Sequence, residues 1–80
     1  MKNSKTTKYG ITHKFIHRPD VFTRMTTYSA TQIITKVQAN GWFFAGYDYR
    51  QNVRMVRSAI RQGVVMHRIL RVGPGQYRFL

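Results

Sequence analysis

Four arginines recur at helical spacing in the second half of this 80-residue chain: Arg50, Arg54, Arg57 and Arg61. At about 100° per residue they fall within ~60° of one another on a helix. Gln51, Ser58 and Gln62 lie beside them. A guanidinium is a planar fork that meets phosphate oxygens or guanine edges in pairs, and amide and hydroxyl side chains can read bases or bond phosphates. Helix faces exposed only to water ordinarily mix signs. Like charges stacked at i, i+4 cost a few tenths of a kcal/mol per pair unless an anion neutralises them. The stripe therefore reads as a surface made for a polyanion.

Other chemistries lack their parts. There are 14 Lys+Arg against 2 Asp+Glu, a net charge of +12. The acids are Asp20 and Asp48, with no glutamate. Paired-carboxylate hydrolysis, carboxylate-held magnesium or calcium and an Asp-oriented histidine relay all need more. With no cysteine, thiol catalysis, disulfides and Cys-based metal sites drop out. His13 and His17 stand at i, i+4, a metal-ligand spacing only on a helix. Their segment reads poorly as one and no third ligand is near, so neither a metal nor a cofactor is expected. His67 reads as a half-buried strand residue or a phosphate contact. The expectation is a binding protein rather than an enzyme.

The elements that must position the stripe follow from periodicity and caps. Ser29-Ala30-Thr31-Gln32 fits a capping box, and Ala30, Ile33, Ile34 and Val37 form one apolar face. A helix is predicted over 29–40, stopped by Asn40-Gly41. Trp42-Phe43-Phe44-Ala45 reads as core on a short strand or turn. Gly46 to Tyr49 is a bridge with Asp48 as N-cap. A second helix is predicted over 50–62, ending at Gly63, with Tyr49, Val53, Val56 and Ile60 packing inward. A hairpin is predicted over 64–80: strand Val64–Val72, turn Gly73-Pro74-Gly75, and a closing strand in which Tyr77 and Phe79 alternate with Gln76 and Arg78. Arg68, Arg71 and Arg78 decorate it. Val21, Phe22 and Met25 are expected to cover the core.

The charge also changes character along the chain. All five lysines and two arginines lie in residues 1–40, whereas 41–80 hold seven arginines and no lysine. Residues 1–18 read as a basic, flexible arm and 19–80 as the folded domain. Twenty of the 80 residues are Leu, Ile, Val or Phe, enough for a modest core. No apolar run approaches ~18 residues and no apolar stretch follows the basic N-terminus, so neither a membrane span nor a secretory signal is expected.

The run VRMVRSAIRQGVVMHRILRVGPGQYRFL, residues 53–80, resembles the recognition helix and wing of winged-helix DNA-binding domains of small phage and bacterial regulators. With the helix at 29–40 as the first of the fold, the resemblance spans about 28–80. It implies an α+β domain, two to three helices followed by a C-terminal β-hairpin wing. It also implies a cytoplasmic, nucleoid-associated transcription regulator of phage or mobile-element type. The helix 50–62 would enter the major groove of double-stranded DNA through Arg50, Gln51, Arg54, Arg57, Ser58, Arg61 and Gln62. The wing arginines Arg68, Arg71 and Arg78 would contact the flank. Such domains ordinarily hold a middle helix; here either 42–49 supplies it as one turn or the 49–62 segment divides in two. Homodimers are common among them. Two other partners suit the charge: an acidic surface of a host transcription or nucleoid protein, and RNA or the ribosome.

Overall fold

The computed structural model describes residues 18–80. The expected arm, with His13 and His17, lies outside them except for Arg18. The chain order is β1 (Thr26–Ser29), α1 (Ala30–Ala39), α2 (Tyr49–Val65), β2 (Ile69–Gly73) and β3 (Gln76–Phe79). This is a mixed α+β fold, two helices and a three-stranded antiparallel sheet among the described residues, in the order β1-β3-β2.

β1 is an addition to the expected hairpin. Thr26, Thr27 and Tyr28 are strand formers by type, but the run is only four residues long; it is a strand because it pairs with β3, Thr26 opposite Phe79 and Ser29 opposite Gln76. The core lies between the sheet and the helices. It holds Phe22, Ile33, Ile34, Val37, Val56, Ala59, Ile60, Ile69 and Phe79. Burying a side chain of this kind contributes roughly 1.5–3 kcal/mol. Phe22 stacks on Phe79 at 4.8 Å between ring centroids, and Tyr28 meets both edge-on at 5.5 Å. Met25, expected in the core, is 64% exposed; its φ of 63° marks a sharp entry into β1.

α1 forms as expected. The Ser29 hydroxyl accepts from the Gln32 N–H at 3.1 Å, and the Gln32 side chain accepts from the Ser29 N–H at 2.8 Å. At the far end the Gly41 N–H donates to Gln38 and the Trp42 N–H to Val37, with Gly41 at φ +73°. That pair of bonds is a Schellman stop.

Between the helices, residues 41–48 form an irregular connection, so no middle helix stands there. Trp42 and Phe43 pack against the core from it, and Arg18 lies 5.5 Å from the Trp42 ring centroid. The boundary expected at 18/19 thus falls on a residue already packed against the domain.

Candidate nucleic-acid interface

α2 begins on a second capping box. Asp48 accepts from the Gln51 N–H at 2.8 Å, and the Gln51 Oε1 accepts from the Asp48 N–H at 3.1 Å. The helix runs further than its sequence suggested. Gly63 is buried inside it rather than ending it, and Val64 and Val65 are helical rather than strand. The stop comes at Met66, where the His67 N–H donates to Val64 and the Arg68 N–H to Gly63, with His67 at φ +60°. The hairpin is correspondingly shorter. It turns through Pro74 and Gly75, the latter at φ +66°, the order a type II turn demands.

The buried face of α2 comprises Asn52, Val56, Ala59, Ile60 and Gly63. On a helical wheel this set is centred roughly 140–150° from the arginine stripe. The stripe stands almost opposite the core, further round than the quarter turn expected from Tyr49, Val53, Val56 and Ile60. The shift comes from Asn52, Ala59 and Gly63, which are buried, while Tyr49 is 59% exposed and leans on Phe43 at 5.9 Å. Arg50, Arg54, Arg57 and Arg61 are all exposed along about 16 Å of helix.

The hairpin joins one end of this stripe. Arg57 and Arg61 from α2 and Arg71 from β2 line a groove of about 280 Å³ whose floor is Ala30, Ile60, Val64 and Tyr77. Arg71 faces it because it pairs with Tyr77 on the inner side of the sheet. A backbone bond holds the hairpin tip in place: the Ala30 N–H, the first of α1, donates to the Gly75 carbonyl at 3.0 Å. The groove therefore has three guanidiniums around an apolar floor, beside the positive end of a helix.

Neither acidic side chain neutralises them. Asp20 pairs with Arg18 at 2.8 Å and Asp48 caps α2. The Arg18 guanidinium, through its hydrogen bond and then its charge, holds the Asp20 carboxyl below the usual carboxylate range, and Asp20 raises Arg18 in turn.

The structure divides the other expected site residues. Gln62 is exposed near the stripe and Ser58 half-buried. Gln51 is committed by its oxygen to the cap. Arg78 lies on the outer side of the sheet, paired with Thr27 and Leu70, away from the groove. Arg68 precedes β2, and its backbone carbonyl accepts the Leu80 N–H at 3.0 Å, at the end of that outer row. The contribution of Ala30 and Tyr77 to the groove was not signalled by the sequence, since it depends on α1 and β3 meeting α2.

Searches of protein-family models, of curated proteins and of solved structures give no match to this chain.

Proposed function

We propose that this chain is a small non-enzymatic protein that binds duplex DNA, a regulator of phage or mobile-element type. Its α2 stripe enters the major groove and its hairpin grips the adjoining backbone. The observation that carries this reading is the meeting of Arg57, Arg61 and Arg71 around one groove with no acidic side chain among the described residues that line it. A duplex presents phosphates along the edge of a groove about 12 Å wide, so a convex helix flanked by a cationic hollow matches its relief. The element order and the β1-β3-β2 sheet also suit the winged-helix resemblance, with β1 as the strand before the paired helices. The connection of residues 41–48 is longer than the tight turn of a helix-turn-helix.

The test is an Arg57→Ala, Arg71→Ala double variant titrated with a duplex of random sequence. Affinity should fall at least tenfold while the melting temperature stays put, because both side chains are exposed. Unchanged affinity would remove the reading. Tighter binding to structured RNA than to duplex DNA would move the function to RNA.

A further inference from the structure

The sheet has two faces, and among the described residues only one is covered. Phe79, Ile69 and Tyr28 point to the helices. Residues that alternate with them lie on the other side: Thr27, Leu70 and Arg78, and Leu80 follows Phe79 just past β3, its N–H bonded to the Arg68 carbonyl. Leu70 is 50% exposed and Leu80 45%. Val72 is exposed on the same edge strand, at the bulge between Arg71 and Gly73. Arg78 stands on the central strand between Leu70 and Thr27, with Arg68 at the end of the row. This face thus holds large apolar side chains interleaved with guanidiniums, and neither acidic side chain of the sequence, Asp20 or Asp48, is among them.

We infer that the outer sheet face docks an acidic amphipathic helix of a partner protein. A sheet ordinarily buries each apolar face against another layer, and a helix is the usual one. The apolar stripe of such a helix would cover Leu70, Val72 and Leu80, while its flanking carboxylates would pair with Arg68 and Arg78 in charge-assisted bonds. Charge selects this occupant. A second copy would bring another net +12 and place arginine on arginine. Residues 1–17 carry four lysines and no acid, so they do not complement the face either. A bilayer that took up Leu70 and Leu80 would have to take Arg78 with them, from the middle of the patch. DNA offers the guanidiniums phosphates but leaves the leucines wet. The chain would then hold duplex on one side and a protein on the other, and the partner face does not depend on the DNA reading.

The experiment titrates the full isotope-labelled chain with a synthetic helical peptide bearing a leucine stripe flanked by glutamates. A scrambled peptide of the same composition is the control. Amide shifts are expected on Thr27, 68–72 and 76–80. A Leu70→Ser, Leu80→Ser variant should bind at least tenfold more weakly, and so should the charge reversal Arg78→Glu, which spares the apolar residues should the first variant lose stability. Shifts confined to Arg54, Arg57, Arg61 and Arg71, or equal binding of the scrambled peptide, would overturn the inference. So would phosphatidylglycerol vesicles or self-association in sedimentation that depend on Leu70 and Leu80 where the peptide does not bind. Duplex affinity, measured in parallel, should be unchanged in the leucine variant; its loss in the groove variant leaves the peptide result standing.

Discussion

The side-chain amide of Asn52 and the backbone of Phe44 bond each other in both directions: the Phe44 N–H donates to Asn52 Oδ1 at 2.7 Å, and Asn52 Nδ2 donates back to the Phe44 carbonyl at 3.2 Å. The same Nδ2 lies 3.2 Å from the Tyr47 carbonyl and 3.0 Å from that of Asp48. Asn52 is 3% exposed. One buried amide thus takes the place of regular structure for the connection between the helices, and sets how α2 leaves it. Replacing Asn52 by alanine takes the partner from the half-buried Phe44 N–H and leaves a cavity at a buried position, while the Phe44 and Asp48 carbonyls keep the Tyr47 and Asn52 backbone N–H groups. The expected loss is about 2–3 kcal/mol, on the order of 10–20 °C in melting temperature for a domain of this size. Asn52→Asp should be at least as damaging, because a carboxylate cannot donate to the carbonyls. A thermal melt of both variants checks this; a loss under about 1 kcal/mol would mean that the connection is held by Trp42 and Phe43 instead.

His67 occupies the left-handed position at the end of α2, where a residue with a Cβ is held at roughly 1–2 kcal/mol above glycine. The equivalent position in α1 is Gly41. His67→Gly should therefore stabilise the domain by about 0.5–1 kcal/mol, part of the relief being returned as chain entropy in the unfolded state. His67→Ala should give no gain. Denaturant melts of the pair decide it, and a loss with glycine would show that the imidazole makes a contact worth more than the strain.

These two residues show where the sequence was readable and where it was not. Caps are local, so Ser29 with Gln32, Asp48, and the Asn40-Gly41 stop could be placed from spacing alone, and with them both helix starts. The end of α2 was misplaced because Gly63 looks like a stop, whereas its place on the buried face lets the helix run on until His67 takes the left-handed turn without glycine. β1 and the Asn52 bonds depend on partners far away or on a loop without a pattern. The arginine stripe was visible as periodicity. Strand alternation likewise set Arg78 opposite Tyr77 and Phe79; that Arg71 shares the inner side with Tyr77 was not visible, because the register between β2 and β3 decides it.

The Asp20 carboxyl should titrate below free aspartate, since its hydrogen bond to Arg18 favours the charged form. Its folded value is depressed, so the stabilisation is present at neutral pH, above the unfolded value, and is lost as pH falls through the folded one. Both groups are exposed, so the effect on stability is small. The measurement is a carbon-detected NMR titration of the Asp20 carboxyl. In Arg18→Ala it should return toward the ordinary range; an unmoved midpoint would place the cause elsewhere.

Salt dependence separates the two groups of hairpin arginines. Each guanidinium that neutralises a phosphate adds about 0.9 to the slope of log affinity against log salt. Arg57→Ala and Arg71→Ala should each lower the slope for duplex binding by roughly that amount, because both line the groove. Arg78→Ala should leave it nearly unchanged, since its side chain is on the far face of β3. Fluorescence anisotropy from low to moderate salt gives the three slopes. Equal reductions for Arg71 and Arg78 would mean that DNA wraps both sides of the hairpin, and would take the outer face away from a protein partner.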